Sequence, residues 1–343
     1  MNCRNSTRAS RLGGLCYSEN LRNLKFKLVS RQGIAWLECA RLARLPWLLH
    51  AFSTRGGGAS KGPAAGLNLG FTESDSRKNV EHNQRLFFMR LEADLILLAS
   101  VRQVHSAAIY LVVRGRSRKI EYLPSGFTPA TKSGDRQPAG DALMTDEKGI
   151  LLSVRVADCL PVLLADVRRR AVAAIHAGWR GMLHSIVEKG VGEMRRVFGS
   201  RPQDLVAALG PSIRACCYEV GEEVRDAFCG RFPHGDAFFQ PVSQERLNQP
   251  PALPHVLSFL PVNPPGHGAD DDKKYRLDLV AAARAQLRSA GVSPSNIEVA
   301  DFCTACRTDL FFSHRKEGSR TGRMLAVIGT KPKSGTSELT ASE

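Results

Sequence analysis

The sequence lacks any long uninterrupted apolar segment. No run approaches the roughly 18 residues of a membrane-spanning helix, because charged residues interrupt each apolar stretch within a turn or two. The N-terminus also lacks the apolar core of a secretory signal. We therefore expect no membrane partner and a cytoplasmic location, with an organelle transit peptide in residues 1–33 as a less favoured alternative.

Acidic residues are scarce relative to basic ones. The chain has 48 Lys and Arg against 33 Asp and Glu, which gives a net charge of +15 at pH 7. An excess of solvated surface charge is the simplest explanation of this net charge, and binding of an anionic substrate is the more specific alternative. No zinc-finger spacing, aromatic RNA-binding motif or basic heptad accompanies the charge. Nucleic acid is therefore not the expected partner.

Cysteine is too sparse and too irregularly spaced for a disulfide framework. The 343 residues include 9 cysteines, an odd number, and this pattern favours free thiols in a reducing compartment. Apolar residues make up 43% of the chain, enough for a sizeable core. Wholesale disorder is thereby excluded.

The composition along the chain predicts one folded domain over residues 34–330. Residues 1–33 form a basic extension that we expect to be disordered, and residues 331–343 form a polar tail. Segments rich in proline, glycine and polar residues at 114–139 and 229–272 are expected to be loop-rich insertions.

The middle of the chain carries the strongest secondary-structure signals. Short runs rich in Val, Leu and Ile at 149–157, 161–165 and 171–177 predict mostly buried strands. Apolar residues at three- and four-residue steps then predict a helix from residue 182 to Gly199. Further expected elements are helices at 75–91, 222–228 and 277–290 and strands at 95–104, 205–209, 297–302 and 325–328.

Three potential metal ligands stand where expected strands end. They are His105, Cys159 and His176. Two imidazoles and one thiolate suit Zn²⁺, and three protein ligands leave a fourth position open, as in catalytic zinc sites. On their own these residues are also compatible with an ordinary buried thiol and hydrogen-bonded histidines.

Two further cysteine pairs are less informative. Cys303 and Cys306 form a CxxC, which is typical of a redox dithiol or half of a zinc ribbon. Cys216 and Cys217 are adjacent. Because the chain has no second CxxC, the sequence does not predict a zinc ribbon, and ordinary thiols are the favoured interpretation.

Two glycine-containing segments are candidates for binding an anion. One, at 178–181, precedes the expected helix at 182–199 and contains Arg180. The other, at 53–58, places Arg55 on a flexible turn. Neither is a Walker A motif or a dinucleotide fingerprint, and the glycines are equally compatible with tight turns alone.

Several segments together resemble one family. They are His50-Ala-Phe-Ser-Thr-Arg55, Leu67-Asn68-Leu-Gly70, Gln103-Val-His105, Gly140-Asp141, Ala157-Asp158-Cys159, Ile175-His176-Ala-Gly-Trp-Arg180, Gly210-Pro-Ser-Ile, Cys217-Tyr-Glu-Val-Gly221, Cys303-Thr304 and the region from Phe311 to Arg323. Over roughly residues 46–330 the chain is similar to the YfiH-type family. Its members have been labelled polyphenol oxidase or laccase-domain proteins and are described as purine nucleoside phosphorylases.

The resemblance implies a fold and a metal site. The fold class is α+β (mixed α/β), with four layers in the order α/β/β/α and mixed sheets, resembling the catalytic domain of the cytotoxic necrotizing factors. The implied ligands are His105, Cys159 and His176, with Zn²⁺ as the expected metal and copper as the alternative.

The resemblance also implies an activity. The expected reactions are phosphorolysis of adenosine, inosine and 5′-methylthioadenosine, and deamination of adenosine. Purine nucleosides and phosphate are therefore the expected small-molecule partners. Asn68 and the two arginines, Arg55 and Arg180, are candidate substrate contacts. Asp141 and Asp158 are candidates for the acid that protonates the leaving group.

Two other functions remain open. A cysteine hydrolase would use Cys159 as nucleophile and His176 as base, as an amidase in peptidoglycan editing would require. A metal-stabilised binding protein for acidic partners would account for the basic charge. The residues give little support to a laccase function, because one Cys-His₂ site is not a multicopper cluster.

Overall fold

The architecture comes from a computed structural model of the chain. It describes residues 25–94, 96–115, 119–126, 128, 137–242 and 274–331. Among these residues, no helix is both long enough and apolar enough to cross a bilayer.

Sixteen strands are present in the described part of the chain. They are β1 (Phe26–Arg31), β2 (Ile34–Cys39), β3 (Leu48–Ser53), β4 (Leu97–Ser100), β5 (Ile109–Arg114), β6 (Ile120–Ser125), β7 (Ala142–Thr145), β8 (Ile150–Val156), β9 (Leu160–Asp166), β10 (Val172–Ala177), β11 (Leu205–Leu209), β12 (Glu219–Gly221), β13 (Phe239–Pro241), β14 (Lys274–Leu277), β15 (Ile297–Val299) and β16 (Met324–Thr330).

Six α-helices lie between or beside these strands in the same described ranges. They are α1 (Arg77–Arg90), α2 (Trp179–Leu183), α3 (Ile186–Phe198), α4 (Glu222–Arg231), α5 (Leu279–Ser289) and α6 (His314–Glu317).

Two large mixed sheets form the centre of the protein. One has the strand order β1-β2-β3-β16-β8-β4, and the other has the order β15-β11-β9-β10-β7-β5-β6. Most neighbours are antiparallel, but β4 runs parallel to β8, β5 parallel to β7, and β11 parallel to β15. A small sheet, β12-β14-β13, lies beside them.

The strand sequences show why the two sheets stack. Along β10, Val172 and Ala174 pack between the sheets, whereas Ala173 and Ile175 pack with the helices α2, α3 and α5. Because successive side chains point to opposite faces, a strand that is buried on both faces is apolar throughout. This is why the central segments appear in the sequence as continuous apolar runs.

Three apolar clusters separate four layers. One lies between α1 and the six-stranded sheet, one between the sheets, and one between the seven-stranded sheet and the remaining long helices. The predicted mixed α/β class with mixed sheets is confirmed, and the clusters agree with the α/β/β/α order. The likeness to the cytotoxic necrotizing factors stays a prediction.

Most expected elements occur with their bounds shifted by a few residues. The long helix expected at 182–199 is an exception, because the chain forms α2 and α3 instead. Ser185 lies between them with φ 57°, a left-handed conformation that interrupts the helical hydrogen-bond ladder. The expected end at Gly199 is confirmed, since this residue caps α3 with φ 67°.

The predicted boundary at residue 33 is wrong. The strand β1 pairs antiparallel with β2 over its whole length, and Phe26 contacts Phe52 in the core between the sheets with 5.8 Å between ring centroids. The folded domain therefore begins before residue 34. The remainder of the expected extension, residues 1–24, lies outside the described residues, as do 332–343 of the expected tail.

The insertion expected at 114–139 is not only loop. The strand β6 pairs antiparallel with β5 at the edge of the seven-stranded sheet. Half-buried Ile120 and Tyr122 alternate there with exposed Glu121, a pattern that the neighbouring prolines and glycines hid. In the insertion expected at 229–272, the described part contains the end of α4 and β13, and residues 243–272 lie outside the described residues.

We predict that Phe26→Ala destabilises the domain, because Phe26 is only 7% exposed and packs between the sheets. The expected loss is about 3 kcal/mol of unfolding free energy. Leu28→Ala in the same strand is the matched control, because Leu28 is 55% exposed, and its expected effect is below about 0.5 kcal/mol. Denaturant unfolding of both variants measures this, and equal stabilities would show that β1 is not part of the core.

Candidate active site

The candidate site lies where the chain crosses twice from one large sheet to the other. The crossings lead from β4 to β5 and from β8 to β9, and because β4 and β8 are parallel neighbours, both start at the same edge. The side chain of Gln103 joins them, since its amide donates to the carbonyl of Arg155 (2.8 Å) and its oxygen accepts from the Arg155 N–H (2.7 Å).

Three predicted ligand residues meet at this edge. His105 lies in the first crossing, Cys159 in the second, and His176 near the end of the adjacent strand β10. Their ligand atoms all lie within 4.8 Å of one another, and Cys159 Sγ is 3.8 Å from His105 Nε2. The structure thus brings together the three side chains that the sequence placed at separate strand ends.

A buried carboxylate, that of Asp141, organises this group. It accepts hydrogen bonds from the backbone N–H groups of Val104 (3.3 Å), His105 (3.0 Å) and Ser106 (2.6 Å). The Ser106 hydroxyl donates to it as well (2.8 Å), and His176 Nδ1 lies 2.8 Å from its Oδ1. Asp141 itself is completely buried.

These bonds set the geometry of both histidines. With its Nδ1–H directed at Asp141, His176 points its Nε2 toward the cluster, and a bound zinc would take the place of the Nε2 proton, as in zinc-binding histidines with a carboxylate partner. His105 has φ 58°, a left-handed conformation that costs free energy for a residue with a side chain. The three backbone hydrogen bonds to Asp141 hold the chain in that conformation.

Three side chains of the site, Asp141, Cys159 and His176, have shifted pKa values that favour their charged forms. Burial raises the pKa of Asp141, but the hydrogen bonds from His176 and Ser106 outweigh it and hold that pKa below its usual value. Burial likewise raises the pKa of Cys159, but the imidazolium of His176 and the hydrogen bond from His105 lower it to about 6. Burial lowers the pKa of His176, but the Cys159 thiolate and Asp141 raise it to about 9. Asp141 is therefore ionised near neutral pH, which does not fit a leaving-group acid.

The donor set fits a metal ion of the zinc type. Tetrahedral zinc with one sulfur and one nitrogen ligand separates these two atoms by about 3.6 Å, close to the 3.8 Å between Cys159 Sγ and His105 Nε2. The carboxylate behind His176 supplies the outer hydrogen bond that such sites use. These three residues form a potential metal-binding group.

Gly178 leaves the space that the ligands occupy. A Cβ atom at this position would lie 2.9 Å from His105 Cδ2 and 3.1 Å from Cys159 Sγ. Its φ of −78° is accessible to any residue, so the glycine is required for space and not for backbone freedom.

Asp158 positions the second crossing. Its carboxylate accepts from the Thr304 hydroxyl (2.6 Å) and from the Arg315 N–H (2.6 Å), and its carbonyl accepts from the Ile213 N–H (2.9 Å). With φ 94°, Asp158 is in a strained conformation that these contacts hold in place immediately before Cys159. Both carboxylate oxygens are used within the protein.

Sequence reasoning missed a group of residues beside the thiolate. Burial raises the pKa of Tyr218, and its charged neighbours are Cys159, Arg315, Asp158 and Arg180. The guanidinium of Arg315 stacks on the Tyr218 ring at 5.2 Å. The phenol therefore stays protonated at neutral pH.

A third arginine, Arg323, interacts electrostatically with Cys159 and Asp158. Both Arg315 and Arg323 fall within motifs that resemble the family. They lie far from Cys159 along the chain, so the sequence did not predict that they are near it in the fold. Together with Arg180 they bring three positive charges near Tyr218 and Cys159.

Two expected substrate contacts have other partners. The Arg55 guanidinium packs on Phe312 (4.5 Å) and pairs with Glu317 (2.6 Å), which ties the glycine-rich turn to α6. Asn68 is completely buried. Its side chain donates to Asp75 and accepts from the backbone N–H of Arg323 (2.8 Å).

The sequence predicted Arg180 just before a long helix, and this prediction is wrong. Arg180 lies in the short helix α2, with its guanidinium over the Trp179 ring at 4.4 Å. It remains the candidate anion contact that lies beside the cluster, since it is among the charged neighbours of Tyr218.

We predict that Gly178→Ala weakens metal binding by roughly 10-fold or more, because the added methyl group displaces ligand atoms, while the global stability changes little. Gly192→Ala in α3 is the matched control. Apart from the backbone of α3 itself, no atom lies within 4 Å of a Cβ atom there, so we expect unchanged metal binding and about 0.5–1 kcal/mol of added stability. Metal titration and thermal melts of both variants test this, and full metal affinity in Gly178→Ala would contradict it.

We predict that Cys159 in metal-free protein alkylates with a midpoint near pH 6, since its pKa lies at about 6. Only the thiolate reacts, so the rate rises as pH rises through that value and is constant above it. In His176→Gln the imidazolium is lost, and the midpoint should move upward. The rate of iodoacetamide labelling of Cys159, followed by mass spectrometry across pH, measures both. An unchanged midpoint in the variant would show that His176 does not lower the pKa of Cys159.

Comparisons with known proteins identify the family of this chain. The chain matches the family model described as multi-copper polyphenol oxidoreductase laccase over residues 49–331. It is 34% identical over 311 residues to purine nucleoside phosphorylase YlmD of Geobacillus stearothermophilus, covering 89% of this chain and 97% of that protein. It is 33% identical over 288 residues to adenosine deaminase RL5 from an unknown prokaryotic organism, covering 82% and 94%.

The fold is also that of a solved relative. The crystal structure of YfiH from Bacillus licheniformis matches with a TM-score of 0.68 at 28% identity, covering 89% of this chain and 99% of that chain. The expected similarity to the YfiH-type family is confirmed. Since the family model spans most of the chain and the fold agrees, this protein belongs to the multi-copper polyphenol oxidoreductase laccase family.

Proposed function

We propose that this protein is a zinc-dependent purine nucleoside phosphorylase that also deaminates adenosine. The observation that carries the proposal is the convergence of His105, Cys159 and His176 behind the carboxylate of Asp141. The relatives named purine nucleoside phosphorylase and adenosine deaminase supply the substrate class.

The donor set supports zinc as the metal. Two imidazole nitrogens and a thiolate are typical ligands of Zn²⁺, and copper is the alternative. A zinc ion held by three ligands keeps a position open and acts there as a Lewis acid. Asp141 and Gly178 would act as positioning residues, because one orients His176 and the other leaves room for the ligands.

The arginines beside the cluster support binding of phosphate. Arg180, Arg315 and Arg323 lie near Tyr218 and Cys159, and a guanidinium binds phosphate through paired hydrogen bonds. Phosphorolysis needs such a site, because a phosphate oxygen attacks C1′ of the sugar while the bond to the base breaks. Arg180 and Arg315 are each stacked on an aromatic ring, which restricts their orientation.

Tyr218 is a candidate hydrogen-bond donor in the described part of the site. Its burial keeps the phenol protonated, and it lies close enough to Cys159 and Asp158 to interact with both. It would donate a hydrogen bond to the departing base, and the proton that the base takes up would come from the attacking dihydrogen phosphate or from solvent, because a phenol with a raised pKa is a weak acid. Asp158 would hold the loop, since both of its oxygens accept hydrogen bonds.

One observation favours a second function. Without metal, the pKa values of Cys159 (about 6) and His176 (about 9) describe a thiolate–imidazolium pair, the reactive form of a cysteine hydrolase. An amidase that uses Cys159 as nucleophile and His176 as acid and base is therefore the alternative.

The cysteine chemistry also supports a cytoplasmic location. The described cysteines are free, and free thiols are typical of a reducing compartment.

Turnover of adenosine, inosine and 5′-methylthioadenosine, with and without phosphate, tests the proposal. We expect release of free base only with phosphate, and formation of inosine from adenosine in its absence. His105→Ala should lower kcat/KM roughly 100-fold or more, whereas His82→Ala, an exposed histidine on α1, should not change it. Zn²⁺ added after chelation should restore the wild-type rate.

Two results would contradict the proposal. Base release that is independent of phosphate would identify a nucleoside hydrolase. Turnover that persists after complete removal of metal, and is abolished by alkylation of Cys159, would establish the cysteine hydrolase instead.

A further inference from the structure

Four cysteine side chains meet outside the candidate active site. They are Cys216, Cys217, Cys303 and Cys306, and their sulfur atoms all lie within 4.8 Å of one another. Cys306 Sγ is 3.6 Å from Cys216 Sγ and 3.3 Å from Cys217 Sγ. The sequence analysis noted both pairs but did not predict that they meet, because the chain has no second CxxC.

Two turns from distant parts of the chain bring the sulfurs together. One turn follows β11 and contains Cys216 and Cys217, and the other follows β15 and contains Cys303 and Cys306. A parallel bridge joins Ser212 to Cys303 between them.

Backbone and side-chain hydrogen bonds add to this bridge. The Thr304 N–H donates to the Ser212 carbonyl (3.1 Å), and the Arg214 side chain donates to the Phe302 carbonyl (3.3 Å). Both turns are therefore fixed against each other beside the cluster.

We propose that this cluster is a second metal site, which holds one Zn²⁺ through four thiolates. Tetrahedral zinc with four sulfur ligands places the sulfurs about 3.8 Å apart, close to the separations that the cluster has. All four cysteines are free, and the two separations from Cys306 Sγ far exceed the roughly 2.05 Å of a disulfide. Four sulfurs gathered around one point are what a tetrathiolate site requires.

Binding of Zn²⁺ requires all four thiols to lose their protons. The charge of the ion then offsets the repulsion among the four thiolates.

This site is structural, in contrast to the active site. All four positions are filled by protein, so none is open for substrate. Its ligands stand next to residues of the active site: Tyr218 follows Cys217, and Thr304, which donates to Asp158, follows Cys303. The metal would therefore brace the two turns that position Tyr218 and Asp158, whatever reaction the active site performs.

Zinc content of the purified full-length chain, reconstituted with Zn²⁺ under reducing conditions, tests this. We expect two equivalents in the wild type and one in the double variant His105→Ala/His176→Ala. Cys306→Ser should lose the other equivalent, because Cys306 is a ligand at an exposed position where the change is tolerated. Cys229→Ser is the matched control, since this half-buried thiol lies outside both clusters, and it should keep two equivalents.

Alkylation of the double variant keeps the test decisive if Cys306→Ser does not fold. In its zinc form all four cluster cysteines should be protected from alkylation, and chelation should expose them together. One zinc in the wild type that disappears in the double variant would overturn the proposal. So would a zinc-free cluster in which a pair of the cysteines is oxidised to a disulfide. Neither result depends on whether nucleosides are substrates.

Discussion

The buried carboxylate of Asp141 is the constraint on which the candidate active site depends. It accepts from three consecutive backbone N–H groups around His105 and bonds the ring of His176. Burial opposes the negative charge, so the carboxylate is stable only while these donors remain in place. The left-handed turn at His105 and the ring orientation of His176 therefore form one cooperative unit, in which loss of either partner leaves a buried charge uncompensated.

The layered core makes that unit rigid. The central strands are buried on both faces, so their ends cannot shift without disturbing apolar packing on two sides. The crossings between the sheets start from parallel neighbours, and Gln103 ties them through two hydrogen bonds to Arg155. Strained φ angles at His105 and Asp158 are confined to these crossings, where surrounding hydrogen bonds hold them. The fold thus positions ligands from separate segments to the precision that metal binding needs.

Thiolate chemistry occurs in two forms on neighbouring loops. At Cys159 one thiolate is stabilised by two imidazoles and lies near arginine side chains. This arrangement suits a site for anionic substrates. At the four-cysteine cluster the sulfurs face one another, which suits a closed structural ion. The contacts of Thr304 with Asp158 connect the two regions. The excess of basic charge along the chain has at least one local use, because Arg180, Arg315 and Arg323 lie near Tyr218 and Cys159 in the candidate active site.

The sequence by itself determined the buried strands β8 to β11 and β16, since burial on both faces requires the apolar runs that are visible in it. It did not predict β2, β3, β5 or β7, which complete the two large sheets. It also offered His105, Cys159 and His176 as ligand candidates near the ends of apolar runs, and the resemblance to the family favoured this set. Only the tertiary structure decided which polar residues meet. The paired strand β1, the role of Asp141, the cations around Tyr218 and the four-cysteine cluster all depend on contacts between segments far apart in the chain. Local patterns report the environment of a residue and not the identity of its partners, and for these features the partners come from how the two sheets stack and where the chain crosses between them.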